Sequence, residues 1–194
     1  MKKIAGFLSV FFIILIYYGA ALSCLANDIQ SISNQEVLLL IVDKSKETYG
    51  TQLQSEIFTQ LKKQLKAEVM KESELINQSR HEIDEIAKVE QSGLLDLAKK
   101  IGADQVLVVE ILPVKSDFSD IAFYKAIRSE VTLSIRLYDV ARKQYVLFED
   151  VAGTDTNKTV IPYTSVGKKV TVLEAIHKAT YKAAEMVNQN AESD

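Results

Sequence analysis

The chain has 194 residues, a net charge of −3, two histidines, two prolines and one cysteine. This mild acidity argues against nucleic acid, or an anionic membrane, as a partner bound through charge. A single cysteine excludes an internal disulfide and any metal site built from several cysteines.

The chain opens Met1-Lys2-Lys3, and no further charge appears until Asp28. Between them lies an apolar stretch, densest from Phe7 to Tyr18, then the small-residue run Gly19-Ala20-Ala21-Leu22-Ser23-Cys24-Leu25-Ala26. A basic start, an apolar middle and a small-residue end are the three regions of a secretory signal peptide. Three fates fit residues 1–26. A signal peptidase would cut after Ser23 or Ala26. Ala21-Leu22-Ser23-Cys24 also resembles a bacterial lipobox, in which Cys24 would be lipidated and become the new N-terminus, although Ala21 stands where leucine is usual. Left uncut, the stretch is long enough to span a bilayer, which needs about 20 residues. Residues 27–35 then form a short tether whose nine residues reach roughly 30 Å.

Without the leader about 170 residues remain, one domain of ordinary size. With Lys2 and Lys3 gone its net charge is −5. Residues 36–190 read as a single α/β (α+β) domain, and 191–194 as a tail. Val37 to Val42 is a continuous apolar run, the pattern of a strand buried on both faces. Lys44 to Gly50 is a polar loop. Thr51 and Gln54 then make a capping-box pattern for a helix with Leu53, Ile57, Phe58, Leu61 and Leu65 on one face. Lys62, Lys63 and Lys66 suit its C-terminal end. Ala67 to Lys71 is a short strand. Ser79 and Glu82 make a second capping box before Ile83, Ile86 and Val89. Ser92 is placed to cap a helix carrying Leu94, Leu95, Leu97, Ala98 and Ile101, with Gly102 as its left-handed terminator.

Val106 to Val109 is another buried strand. From Val131 to Tyr138 apolar and polar residues alternate, the mark of a strand with one wet face. Asp139 to Lys143 turns the chain into a return strand, Gln144 to Asp150, and the first strand of this hairpin starts as early as Ile121. Val172, Leu173, Ile176, Thr180, Ala183, Ala184 and Val187 form one stripe of a C-terminal helix. Buried runs joined through helices imply parallel strands, and the alternating hairpin implies antiparallel strands at one edge. The expected fold is a single mixed sheet, parallel strands plus an antiparallel C-terminal hairpin, with helices packed on it.

The segment Leu97-Ala98-Lys99-Lys100-Ile101-Gly102-Ala103-Asp104-Gln105-Val106-Leu107-Val108-Val109 resembles the helix, Gly-Ala-Asp turn and strand of bacterial envelope domains of the TolB amino-terminal type. The curli-secretion lipoprotein CsgG and the penicillin-binding-protein activator LpoB share that arrangement. The resemblance runs over about residues 36 to 190 by element order. It implies an envelope accessory domain and brings no catalytic residue with it. No spare pair of roughly ten-residue alternating segments is seen for a CsgG-type membrane barrel, and the tether is too short for an LpoB-type arm.

Chemical motifs are sparse. His81 and His177 stand apart, His177 beside the apolar stripe of the last helix, where a partly buried structural role is the simpler reading. The mature part has no cysteine nucleophile and no G-x-S-x-G elbow, and the loop after the first strand has Gly50 alone, so no phosphate loop. Lys44 to Thr51 nonetheless sits where α/β sheets bind ligands, and Asp43 and Glu110 both end apolar strands, as paired carboxylates would. Phe118, Phe123, Tyr124 and Tyr145, with Phe148, gather around the hairpin and are the candidate partner surface, because aromatics are enriched at interfaces.

No catalytic, metal or cofactor residue is expected, and no cofactor. Three functions compete. The first is a non-catalytic, cell-envelope protein-interaction domain, exported and periplasmic or membrane-tethered, that binds an envelope protein through a sheet edge or the hairpin. The second is a structural subunit of an envelope transport or secretion assembly, which implies self-association. The third is a small-ligand binder or enzyme using the loop after the first strand. Membrane contact is expected through the N-terminal segment alone.

Overall fold

A computed structural model describes residues 36–66, 68–70, 91–121, 124–159 and 167–192, without the side chains of 68–70, 91, 92 and 192. The leader with Cys24, the tether, the helix expected around Ser79 to Val89 with His81, and Phe123 lie outside the described residues.

The apolar run forms β1 (Glu36–Asp43), and Val37 to Val42 are buried on both faces of the sheet. Helix α1 (Gly50–Gln64) follows. Its N-cap is Tyr49, with no side-chain cap, so the expected Thr51–Gln54 box does not form. The helix starts two residues earlier because Gly50 packs directly on the Asp43 carboxylate: a Cβ there would sit 1.7 Å from Oδ2. Gln54 instead turns its Nε2 toward the Ile41 carbonyl at 3.4 Å. Leu53, Ile57, Leu61 and Leu65 are buried as the spacing requires.

Strand β2 (Glu68–Met70) lies parallel to β1. Helix α2 (Gln91–Ile101) contains Ser92 inside its first turn, two residues past the place of a cap. It ends as expected. Gly102 takes φ +86°, and the amides of Gly102 and Ala103 both donate to the Ala98 carbonyl at 2.8 and 3.0 Å. Asp104 then ties the next strand to the start of the first: its amide donates to the Glu36 carbonyl, and its Oδ2 accepts from the Glu36 amide. Strand β3 (Gln105–Ile111) is buried throughout and parallel to β1.

The largest departure from the sequence reading follows β3 in the chain. Lys115–Ile121 (KSDFSDI) forms a further strand, β4, which pairs antiparallel with β5 (Tyr124–Asp139). Five of its seven residues are polar and the segment shows no clean period of two, so main-chain pairing rather than side-chain burial places it in the sheet. Strand β6 (Gln144–Thr159) returns along the whole of β5 and runs nine residues past Asp150. Between them the Asp139 carboxylate accepts the Arg142 amide at 2.7 Å, and Lys143 turns with φ +56°.

The result is one six-stranded mixed sheet in an α+β fold. The order is β2-β1-β3-β5, with β3 and β4 sharing one edge of β5 and β6 occupying the other. One face packs on α1 and on α3 (Lys168–Glu192), with Leu39, Ile57, Val109, Ile135 and Ile176 among its core residues. The other carries a smaller cluster with α2, built on Leu40, Leu94, Val108 and Tyr138. Gly153 lets α3 come down onto β6, since a Cβ there would lie 2.0 Å from the Ala175 carbonyl oxygen.

Candidate interaction surface

The loop after β1 is held by its own chain. Asp43 Oδ1 accepts the Ser45 amide at 2.8 Å, Ser45 is buried, and Glu47 pairs with Lys168 of α3 at 2.6 Å. Tyr49 lies under the Lys169 ammonium, 5.6 Å from the ring centre. Burial, with the nearby Glu47 charge, pushes the Tyr49 hydroxyl up to about 12.

Asp43 and Glu110 do not form a pair. Val42 stands opposite Glu110 and Asp43 opposite Ile111, so the two carboxylates fall on opposite faces of the sheet. Glu110 instead bridges two cations, Lys44 at 2.7 Å and the Arg136 guanidinium. Arg136 in turn lies 6.0 Å from the Phe148 ring centre. A buried carboxylate held by two cations is a structural device; a general base needs an open side. His177 is half-buried and contacts Glu56 of α1. Among the described residues no group of three potential ligands is placed to hold a metal. A shallow groove of about 390 Å³ lies between α1 and α3, lined by Gln60, Gln64, His177, Lys178, Tyr181 and Lys182, away from the loop after β1.

The aromatic residues separate into two places. Tyr145 sits at the turn end of the hairpin, edge-on to buried Tyr138 with ring centres 5.4 Å apart, and is half-buried against the α2-side cluster. Phe118 and Tyr124 lie toward the other end, roughly 35 and 45 Å along the strand direction at about 3.3 Å per residue. There Phe118 is 60% exposed, Tyr124 40% and Ile121 68%. Ile121 was not among the sequence candidates. It faces Tyr124 across β4 and β5, a neighbourhood that follows from pairing and not from spacing. Phe148 is also exposed, on β6.

This distal part is a three-stranded extension. The parallel strands stop at Ile111 and Asp43, level with Leu133, so β4 continues along β5 with nothing paired to its outer side among the described strands. The Thr132 carbonyl accepts the Leu112 amide at 3.0 Å, so Thr132 faces the β3–β4 side of β5. Main-chain groups alternate from one edge to the other along a strand. Glu130, Arg128, Ala126 and Tyr124 therefore face the same way, and their partners Lys115, Asp117, Ser119 and Ile121 bond inward. Ser116, Phe118 and Asp120 present their N–H and C=O groups outward.

The β6 edge differs. Its outward carbonyls at Ala152, Thr154 and Val146 accept from Lys182, Lys178 and Asn190 of α3, at 2.9, 3.1 and 3.1 Å. Side chains laid over edge acceptors are a known guard against unwanted strand pairing. Strand β2 offers three residues. Among the described strands the open edge is β4.

Compared by sequence, the chain matches no family model and no curated protein. Compared by structure, it is similar to the hypothetical protein CT253 from Chlamydia trachomatis, with a TM-score of 0.54, 12% identity, and 83% of this chain and 99% of that one covered. This likeness is one of fold. The lipoprotein GNA1162 from Neisseria meningitidis aligns with a TM-score of 0.47 and 13% identity, over 81% of this chain and 99% of that one. TolB from Acinetobacter baumannii aligns with a TM-score of 0.35 over 82% of this chain and 28% of that one, which does not confirm the specific TolB-type arrangement.

Proposed function

We propose that the protein is a non-catalytic domain of the cell envelope that binds another polypeptide through the β4–β5 hairpin. The observation that carries this reading is the seven-residue edge of β4, open among the described strands and flanked by exposed Phe118, Ile121 and Tyr124. An exposed strand edge is a ready template for a second chain, with main-chain bonds supplying affinity and neighbouring side chains specificity. Export rests on the leader, with its basic start, apolar middle and small-residue end. Against an enzyme stand the separation of Asp43 from Glu110 and the engagement of Glu110 by two cations.

The test is site-specific photo-crosslinking in intact cells that make the full chain. A benzoylphenylalanine at position 118 is expected to give a discrete adduct. The same group at Tyr181, exposed on α3, serves as the control. Equal, diffuse labelling from both positions would contradict the proposal.

A further inference from the structure

We infer that the partner strand at β4 is β4 of a second copy of this chain, paired antiparallel about a two-fold axis through Phe118. The inference rests on the reading of the β4 edge as an interaction surface and names its occupant.

Three observations carry it. The first is the hydrogen-bond phase. The outward residues Ser116, Phe118 and Asp120 are symmetric about Phe118. Antiparallel self-pairing in that register sets Ser116 against Asp120 of the other copy and Phe118 against Phe118. Every outward N–H and C=O then meets its complement, as closely spaced ladder pairs require. A shift of one residue would set outward groups against inward ones and lose the ladder.

The second is side-chain complementarity. In this register Lys115 meets Ile121, Ser116 meets Asp120 and Asp117 meets Ser119. No like charges stand directly opposite, an arrangement that would be destabilising. Each serine hydroxyl faces a carboxylate that can accept from it. The two Phe118 rings, each 60% exposed alone, meet at the axis on the same face of the joined sheets. An isologous contact of this kind closes on itself and stops at two copies.

The third is space. β1 ends at Asp43, level with Ile111 and Leu133, before β4 begins at the level of Glu130. The lane beside β4 therefore lies beyond the end of β1. The β6 edge, capped by Lys178, Lys182 and Asn190, does not compete.

The contact is one short strand pair, below the roughly 1,200 Å² of stable interfaces, so the association is weak and concentration-dependent. Its geometry has a consequence for an anchored chain. Each copy enters the sheet at Glu36, some 13 residue levels from the axis. The two entry points thus lie roughly 80 Å apart along the strand direction.

The experiment is sedimentation of the full chain in detergent from about 10 µM to about 0.5 mM, a range that brackets weak association. The expected result is a monomer–dimer equilibrium. Phe118→Pro removes an outward amide and no inward one, and proline is tolerated on an edge strand in that position. It should weaken the dimer at least about tenfold, the loss of the central pair of main-chain bonds. Phe118→Ala, which keeps the amide, should weaken it less. Unchanged thermal melting shows that both variants fold. Dimerisation of the proline variant as tight as that of the parent would overturn the inference. So would a chain that stays monomeric throughout. If that monomer still crosslinks from position 118 to a different protein in cells, self-pairing fails and the interaction reading stands. If it crosslinks to nothing, both fail.

Discussion

At the scale of single residues, close approach and burial set the sensitive positions. Gly153 sits under the backbone of α3, with no room for a Cβ beside the Ala175 carbonyl. Gly153→Ala is expected to cost about 2 kcal/mol, within the range for overpacking, and to lower the melting temperature; an unchanged melt would show that the helix moves freely on the sheet. Tyr49 gives a pH signature. Burial, with the Glu47 charge beside it, holds its hydroxyl up at about 12, against an ordinary value of 10.0. A phenol that resists ionisation when folded contributes stability fully present below pH 10 and lost as pH climbs toward 12. Denaturant titrations should therefore show stability falling across that interval, and Tyr49→Phe should flatten this part of the decline. An equally steep fall in the variant would remove Tyr49 as its cause.

At the scale of elements, the apolar strands and the amphipathic helices were legible because burial dictates their composition. Val37 to Val42 and Val106 to Val109 must be apolar to lie between two helical layers, and the α1 and α3 stripes follow the same need. Gly102 was legible because a left-handed helix end leaves little choice of residue. β4 was not legible. An edge strand exposed on both faces has no periodic signature, and among the described residues pairing to β5 holds KSDFSDI in place. The same cause hid Ile121. The last nine residues of β6 do alternate in burial, but past Val151 their inner side is Gly153, Asp155 and Asn157, so no apolar pattern marks them. The Thr51–Gln54 box failed for another reason: packing of Gly50 on Asp43 fixed the helix start. The guarding of β6 is itself testable. Lys178→Ala with Lys182→Ala removes ammonium groups that cover two edge carbonyls while leaving the core intact. Light scattering should show faster aggregation with a stability loss of no more than about 1 kcal/mol. Unchanged scattering would mean that α3 shields the edge by bulk alone.

At the scale of the molecule, function was less legible than fold. Partner surfaces lack the fixed spacings of catalytic motifs, and sequence reasoning grouped Tyr145 with Phe118 and Tyr124 although the long hairpin separates them. The hairpin also gives the domain a direction. The chain enters at Glu36, level with the Asp139 turn, while the exposed β4–β5 tip lies some 50 Å away at Tyr124. The proposed export carries a direct prediction. Mass spectrometry of the chain from its native host should find a mature N-terminus at Cys24 or Asn27, acylated in the first case if the lipobox is used. An intact Met1 would show an uncut anchor instead.

The most direct test of the central claim is residue-resolved amide exchange on the full chain, dilute and then assembled with its partner. The account predicts that the outward amides of Ser116, Phe118 and Asp120 exchange quickly in the dilute chain and slow on assembly, while those of Asp117 and Ser119 are protected in both states. Assembly that leaves these three amides fast, and protects the groove between α1 and α3 instead, would contradict it.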